Sequence, residues 1–310
     1  MVFHLLICKM KILVLGCYGQ LGRCLKDQLD NTDHEIIYSS REHINIADFK
    51  ETKNKILDIS PDILINAAAY TGVDKAEEDQ DIANLINHLA VENIAKICNQ
   101  INCWLIHMST DYVFDGNSNT PYTEQDKINP QSIYGETKLK GELSIQSSGC
   151  KHIIIRTAWV FSEYGNNFLK TMLRLGTESD YLNVVGDQIG CPTYAHDIAR
   201  SIIQIIPQLS SLKTSGVYNY CGERSTSWYD FANLIFLQAR ENNLKIQCKV
   251  NFIKTSEYIT PAKRPKFSVL DCSKIENRFG VIPSNLNNGI RQAIIKLKKQ
   301  NQAFQLSNVR

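Results

Sequence analysis

A tyrosine and a lysine four residues apart, Tyr134 and Lys138, have the residue types and the spacing that acid–base chemistry needs. Residues four apart lie on one face of a helix, so we expect the phenol and the ammonium to point into the same space. A nearby ammonium favours phenolate and lowers the pKa of a tyrosine from its ordinary value of about 10. Such a phenol can donate a proton to a carbonyl that is being reduced, or accept one in the reverse direction.

The spacing alone is weak support, because a chain with 13 tyrosines and many lysines is expected to contain such a pair by chance. Its position is more informative, since Tyr134 begins the predicted helix between the fourth and fifth predicted strands. The fourth strand ends in Ser109 and Thr110, and ligands gather at the carboxyl ends of strands in a doubly wound sheet. We expect these residues near the bound ligand, with a hydroxyl holding the substrate oxygen beside the phenol. A plain turn-capping role is the alternative.

The elements that must position these residues form an alternating pattern of strands and helices. Almost wholly apolar runs indicate strands buried on both faces, and Glu35–Tyr38 is a weaker strand. The strong runs are Ile12–Leu15, Ile63–Ala69, Trp104–Met108 and His152–Ile155. The amphipathic stretches between them are Gln20–Leu29, Asp48–Ile59, about Ala76–Asn99 and about Ser132–Gln146. This order predicts an α/β fold with a Rossmann-type doubly wound parallel sheet.

The pattern loosens after about residue 157, where Gly, Pro and Asn become frequent and helices are predicted only near 227–240 and 288–299. We therefore expect a nucleotide-binding Rossmann domain over 10–157 and a smaller, mainly substrate-binding C-terminal lobe over 158–310. Part of 190–220 is expected to return to the first domain.

A glycine-rich turn, GCYGQLG, directly follows the first strand and opens a helix. The turn needs residues without Cβ, and the helix N-terminus offers free N–H groups to a pyrophosphate. A tight turn without a ligand is the alternative. The residues that we expect to bind a dinucleotide here are Gly16, Gly19, Gln20, Leu21 and Gly22, and the small side chains of Ala67 and Ala68 after the third strand would let it lie close.

The end of the second strand bears on the choice between NAD and NADP. It reads Tyr-Ser-Ser-Arg-Glu, with Ser39 and Arg41 where a 2′-phosphate would lie and no carboxylate at the strand end itself. NADPH is favoured, and Glu42 keeps NADH open. Asn87, within a predicted helix, is either part of the site or a solvated helix residue.

Composition and charge argue against a nucleic-acid-binding protein, a membrane protein and a disulfide-rich protein. A net charge of +2 with scattered Lys and Arg gives no reason to expect nucleic acid or membrane as a partner. Ten cysteines without CxxC spacing suit reduced thiols of a cytoplasmic protein better than disulfides or a metal site. The apolar start, Met1–Lys9, is too short to span a bilayer, and we interpret it as an extra tail.

These features together resemble the extended short-chain dehydrogenases, and within them the dTDP-4-dehydrorhamnose reductase family. The resemblance runs in family order from about residue 11 to residue 300. The stretches VDKAE, STDYVF and GDQIGCPT are more specific than the general fold motifs. The matching stretches are GCYGQLG, PDILINAAAYTGVDKAE, IHMSTDYVFDG, YGETKLKGE, IIIRTAWVFSEYGNNFLKTMLRL, VVGDQIGCPTYAHDIA and TPAKRPKFSVLD.

The resemblance implies that NAD(P)H reduces the 4-keto group of dTDP-4-dehydro-L-rhamnose. It implies that Thr110, Tyr134 and Lys138 are catalytic, with Lys138 also holding the nicotinamide ribose. A guanidinium suits phosphate oxygens, so Arg264 is the candidate for the nucleotide diphosphate, with an ordinary surface charge as the alternative. The residues that it places around the nucleotide sugar are Thr71, Val73, Asp111, Tyr112, Trp159 and Arg264.

Two other functions and one structural question stay open from the sequence alone. The chain could be a cofactor-binding regulatory subunit like that of methionine adenosyltransferase, or a related nucleotide-sugar 4-reductase or epimerase. Some family members pair through Mg²⁺ bound by a carboxylate just beyond the third glycine, where this chain has Arg23 and Cys24. We therefore predict no metal, and both a monomer and a homodimer are left open.

Overall fold

The computed structural model describes residues 9–211 and 215–307, so the expectation for the apolar start lies, apart from Lys9, outside the described residues. A six-stranded, wholly parallel sheet forms its centre, in the order β2-β1-β3-β4-β5-β10. The strands are β1 Lys11–Leu15, β2 Glu35–Ser39, β3 Ile63–Asn66, β4 Trp104–Thr110, β5 His152–Thr157, β6 Val160–Phe161, β7 Tyr181–Val185, β8 Ile189–Gly190, β9 Thr193–Tyr194, β10 Gly216–Asn219, β11 Thr226–Ser227 and β12 Lys249–Ile253.

Helices cover both faces of this sheet, as the continuous apolarity of its strands requires. Along β1, Ile12 and Val14 pack into one core with α1 and α8, while Leu13 and Leu15 pack into another with α2, α5 and α6. The predicted Rossmann-type fold is therefore confirmed. The helices are α1 Gln20–Leu29, α2 Phe49–Ile59, α3 Val73–Glu78, α4 Gln80–Asn84, α5 Ala90–Gln100, α6 Ile133–Ser147, α7 Phe168–Glu178, α8 Ala195–Ile205, α9 Trp228–Glu241, α10 Ser273–Phe279 and α11 Leu286–Ser307.

The chain after β3 differs from its prediction in two places. The strand ends at Asn66 instead of Ala69, and the single helix expected over about Ala76–Asn99 is divided into α3, α4, a π-helical turn at Leu85–Leu89, and α5. The π turn meets α6 at Gly141, where a Cβ would lie 2.3 Å from the Asn87 carbonyl oxygen. Periodicity cannot distinguish a π turn from continuous helix, because both keep the apolar face on the core.

A separate core lies beyond β5, built by α7, α9, α11 and the parallel pair β7–β12. Within the same half of the sequence, β10 pairs with β5 at the edge of the central sheet and α8 packs on α1. Nine cysteines in the described part of the chain are free and buried, and none of its helices is both long and apolar enough to cross a membrane.

Candidate active site

The glycine turn lies at the carboxyl end of β1, where the sheet order reverses and ligands of such folds bind. Gly16 has φ +78°, and a Cβ on it would lie 2.8 Å from the backbone nitrogen of Ala68. A Cβ on Gly22 would lie 2.2 Å from the Gly16 carbonyl oxygen. Gly19 caps α1 without a side-chain hydrogen bond, and the first turn of α1 holds no acidic residue. A closely packed turn before an uncapped helix N-terminus fits a dinucleotide pyrophosphate.

The remaining predicted cofactor residues surround this turn. The Ser39 carbonyl accepts hydrogen bonds from Gly16 and Cys17, whereas its hydroxyl is buried. Arg41 is exposed just beyond β2. The side chain of Gln20 donates to the Val160 carbonyl, so only the backbone of Gln20 is free to face a phosphate. Leu21 packs against the core on the α1 side of the sheet.

Tyr134 stands in the first turn of α6, which begins at the cap Ser132, whose hydroxyl accepts from Gly135 N–H. Its ring meets the ring of Tyr112 edge to face at 5.6 Å between centroids. Burial raises the pKa of Tyr134 to about 12, and the Asp111 charge adds to the rise while the Thr110 hydroxyl opposes it. Tyr134 is half-buried. A desolvated phenol of high pKa holds its proton firmly until negative charge develops beside it.

Lys138 lies one turn further along α6 and is 2% exposed. Its ammonium nitrogen is 2.5 Å from the carbonyl oxygen of Met108 and 3.3 Å from Nε2 of His107, both on β4. Burial lowers the pKa of Lys138 to about 8, and the Glu142 charge opposes that effect. The amine therefore titrates much closer to neutrality than an exposed lysine.

The expected lowering of the Tyr134 pKa by Lys138 is wrong for this structure. Desolvation of the phenolate outweighs every other influence on Tyr134, and the Lys138 amine is turned to the backbone of β4. Spacing placed the two side chains on one helix face, but the depth of burial and the choice of hydrogen-bond partner depend on the packed sheet.

Thr110 ends β4 and its hydroxyl donates to Asp111 Oδ1 at 3.0 Å. Asp111 is 2% exposed, and its Oδ2 has no hydrogen-bond partner among the described residues. Burial raises the pKa of Asp111 to about 6, and the hydrogen bond from the Thr110 hydroxyl opposes that effect. A polar pair therefore lies beside the Tyr134 phenol.

The Ser109 hydroxyl is buried at the end of β4 and donates to the Glu142 carboxylate. The expectation that Ser109 lies near the bound ligand stays a prediction. Glu142 is paired with Arg156 of β5, the Nη2 to Oε2 distance being 2.6 Å, and both side chains are buried. Sequence reasoning missed this pair; Glu142 lies one helical turn after Lys138, which is the signal that could have found it.

The sugar-site candidates continue outward from Tyr134. Tyr112 lies between Tyr134 and Arg264, whose guanidinium forms a two-pronged ion pair with Asp74 of α3 at 3.0 and 2.8 Å. Val73 precedes Asp74 at the start of α3, and Thr71 lies two residues earlier on the exposed connection from β3. The sequence did not single out Asp74 as the partner of Arg264.

Trp159 has a left-handed backbone, φ +46°, which is rare for a bulky residue. Its ring stacks on that of Trp228 with 3.4 Å between centroids and 6° between planes. Gly190 lies against the same ring, since a Cβ there would come 2.4 Å from Trp159 Cε2. Packing thus fixes Trp159 in a strained conformation.

Asn87 is a buried structural member of the site and not a solvated helix residue. Its Oδ1 accepts from the backbone of Tyr70 at 2.9 Å, and its Nδ2 donates to the Tyr70 carbonyl and to the Thr137 hydroxyl. It ties the chain after β3 to α6. Only the π turn, which sequence reasoning missed, aims the amide in this direction.

One group of side chains in the described part of the chain has the composition of a metal site: Asp27, Glu163 and His196. The Lys296 amine lies 3.0 Å from Glu163 Oε1 and 2.7 Å from His196 Nε2. A cation of the chain itself is thus already in contact with these groups. The prediction of no metal stays a prediction.

Comparisons with known proteins agree over nearly the whole chain. The family model of the RmlD substrate binding domain matches residues 10–299. The dTDP-4-dehydrorhamnose reductase of Aggregatibacter actinomycetemcomitans is 43% identical over 286 residues, covering 91% of this chain and 97% of the relative. A dTDP-4-dehydrorhamnose reductase structure from Clostridium acetobutylicum is 38% identical with a TM-score of 0.88, covering 93% of this chain and 100% of that one.

A dTDP-4-dehydrorhamnose reductase structure from Bacillus anthracis, in complex with NADP, is 34% identical with a TM-score of 0.86, covering 93% of this chain and 99% of that one. The resemblance stated from the sequence is confirmed by these matches. The chain belongs to the dTDP-4-dehydrorhamnose reductase family, whose domain model spans it from residue 10 to residue 299.

Proposed function

We propose that this chain reduces the 4-keto group of dTDP-4-dehydro-L-rhamnose to give dTDP-L-rhamnose, with NADPH as the favoured reductant. The observation that carries the proposal is Thr110 beside the Tyr134 phenol, with Lys138 one turn along the same helix and bound to β4, in a sheet whose glycine turn fits a dinucleotide. Family membership supports the substrate, and the NADP complex of the Bacillus anthracis relative supports the cofactor. When bound, the nicotinamide supplies the hydride.

In this proposal Tyr134 donates its proton to the alkoxide that develops on the sugar. The phenol keeps that proton in the resting site, because desolvation raises its pKa to about 12. Thr110 holds the sugar oxygen beside the phenol, and Lys138 holds the cofactor ribose and favours the phenolate that forms. A positioned acid of this kind contributes about 10²–10⁴-fold to a rate.

The outer residues are proposed to bind the nucleotide sugar. Tyr112 and Trp159 offer faces to the sugar, and Arg264 offers a planar fork to the diphosphate. Arg264 is already aligned by Asp74, which keeps its guanidinium at the edge of the site. Arg41 is proposed to bind the 2′-phosphate of NADPH from its exposed position beyond β2.

The decisive experiment compares Tyr134→Phe with the wild type. NADPH oxidation with dTDP-4-dehydro-L-rhamnose should fall about 10²–10⁴-fold, while the Kd for NADPH should stay within a few-fold of the wild type. Tyr218→Phe, a tyrosine at the β10 edge of the sheet, is the control and should keep full turnover.

The same assay separates the other candidate functions. A regulatory subunit would bind NADPH without oxidising it, and an epimerase would convert a nucleotide sugar without net consumption of cofactor. Identification of the sugar formed decides between the rhamnose reductase and a 4-reductase of opposite stereochemistry. Wild-type turnover by Tyr134→Phe would reject the catalytic assignment.

A further inference from the structure

A buried row of polar groups lies beneath the Lys138 amine. It begins at Asn66, the last residue of β3, passes through His107 on β4 and ends at Lys138 on α6. Asn66 Nδ2 is 3.1 Å from His107 Nδ1, and His107 Nε2 is 3.3 Å from Lys138 Nζ. Each of the three residues is at most 2% exposed. Hydrogen bonds inside the row therefore have no competition from bulk water.

The orientation of Asn66 determines which end of the row donates. The backbone N–H of Ala68 donates to Asn66 Oδ1 at 3.1 Å, so the amide nitrogen must be the atom that faces His107. An amide nitrogen can only donate, and His107 Nδ1 must then accept through its lone pair. In a neutral imidazole the single hydrogen is consequently on Nε2, the nitrogen facing Lys138.

His107 is held in the neutral form. Complete burial lowers its pKa well below the ordinary value for histidine, and the Lys138 charge lowers it further. At neutral and alkaline pH the imidazole ring of His107 therefore presents its Nε2–H group to Lys138. An N–H group can hydrogen-bond to a neutral amine but not to an ammonium, because an ammonium has no lone pair.

We propose that His107 is a positioning residue for Lys138, which offers the amine an N–H partner and so disfavours its protonated form. Lys138 then loses its proton more readily than a lysine whose contacts are all acceptors, and a nearby anion, such as the phenolate that forms on Tyr134, would favour its ammonium form. This inference rests on the proposed catalytic role of Lys138.

The other charged groups around Lys138 do not replace His107 in this role. Glu142 lies one turn along the same helix and favours the ammonium, but its carboxylate is bound by Arg156 from β5. Asp111, after β4, acts on Tyr134. The Met108 carbonyl accepts from both forms and favours the ammonium, as the stronger donor. His107 is thus the contact that disfavours the ammonium.

The row does not act as a proton path. At its Asn66 end the row meets the peptide N–H of Ala68, which is a donor without a labile second site, and not solvent. Its effect must therefore be electrostatic, exerted through the lysine.

A first test needs no catalysis. In ¹⁵N-labelled wild-type protein, long-range ¹H–¹⁵N spectra of His107 should show Nδ1 as the unprotonated nitrogen and Nε2 as the protonated one from pH 6 to pH 9. Asn66→Asp should reverse this, because a carboxylate accepts from both Ala68 N–H and an Nδ1–H. An Nδ1–H tautomer or an imidazolium in the wild type would overturn the inference.

The second test is the pH profile of kcat/KM for NADPH-dependent reduction. His107→Gln offers a carbonyl oxygen to the ammonium, so the alkaline limb should move upward by about one pH unit, a tenfold change in proton affinity. Asn66→Asp should move it in the same direction. His152→Gln is the matched control, a buried histidine of β5 whose ring contacts the Cys150 carbonyl, and its profile should be that of the wild type.

An alkaline limb unchanged in His107→Gln relative to His152→Gln would refute the positioning role. If His107→Gln fails to fold, Asn66→Asp and the wild-type tautomer decide the question. If Tyr134→Phe is fully active, the proposed function fails while the tautomer result still stands or falls by itself.

Discussion

Unusual protonation is the common property of the residues around Tyr134. Burial raises the pKa of Tyr134 to about 12 and that of Asp111 to about 6, and it lowers the pKa of Lys138 to about 8. In each case burial is the largest cause, and it moves each pKa toward the uncharged form. Clusters of groups with shifted pKa values are typical of active sites.

Asp111 gives a stability prediction at the residue scale. Its pKa is raised to about 6 in the folded state from 3.8, so the folded form binds a proton more tightly than the unfolded form. The resulting stabilisation is fully present below pH 3.8 and is lost as the pH rises through 6. Asp111→Asn, which does not ionise, should therefore gain about 2 kcal/mol in unfolding free energy relative to the wild type between pH 4.5 and 7.5.

Urea unfolding of both proteins at a series of pH values measures this difference. If the unfolding free energies of the wild type and Asp111→Asn differed by the same amount at every pH, Asp111 would have the same pKa in the folded and the unfolded chain. Asp187→Asn, at an exposed carboxylate, is the comparison variant and should not show a gain in this direction.

At the scale of elements, α6 is the unit that delivers the chemistry. It carries Tyr134, Lys138 and Glu142 at intervals of one turn, and Gly141 brings it against the π turn. The strands contribute the segments at their carboxyl ends: the glycine turn after β1, the small residues after β3, and Thr110 with Asp111 at the end of β4. Helix α6 thus sets the spacing between these side chains, and packing against the sheet sets how deeply each one is buried.

The glycine turn allows a prediction with an internal control. Gly22→Ala should lower the unfolding free energy by about 1–3 kcal/mol through overpacking, because the new Cβ would lie 2.2 Å from the Gly16 carbonyl oxygen. Gly19→Ala brings a Cβ only to 3.1 Å from that oxygen, so it should cost less stability. Thermal unfolding without ligand, together with NADPH titration, measures both effects, and equal losses in the two variants would contradict the packing argument.

At the scale of the whole molecule, we propose that α8 and β10 belong with the Rossmann domain and that α7, α9, α11 and the β7–β12 pair form the substrate-binding lobe. The third hydrophobic core lies in that lobe. The Arg264–Asp74 ion pair joins the segment after β12 to α3, beside the candidate sugar site. A nucleotide diphosphate bound there would contact both regions.

The proposed contact of Arg264 with the diphosphate predicts how dTDP binding and the Tm shift caused by dTDP change when Arg264 is replaced. Arg264→Ala should weaken dTDP binding about ten- to hundredfold, because a charged hydrogen bond contributes about 1.5–3 kcal/mol. The shift in Tm caused by dTDP should shrink accordingly. Arg174→Ala, at an exposed ion pair on α7, is the control. Equal dTDP affinity in the two variants would show that Arg264 is an ordinary surface charge and does not bind the diphosphate.

The alternation of apolar strands and amphipathic helices determined the fold class from sequence alone, because burial on both faces of a strand leaves a continuous apolar run. Local capping chemistry was equally readable: α1 spans the predicted Gln20–Leu29, and Ser132 caps α6 where its helix was expected to begin. The glycine turn and the Tyr134–Lys138 spacing are also local patterns. For these features, a few neighbouring residues carry the physical cause.

Tertiary structure decided what depends on contacts distant in sequence. The Lys138 amine binds β4, and Asn66 contacts His107 from 41 residues away. The π turn and the choice of Arg156 and Asp74 as the partners of Glu142 and Arg264 likewise have no local signature. Charge states in this site depend on burial, and burial exists only once the sheet and its helices have packed together.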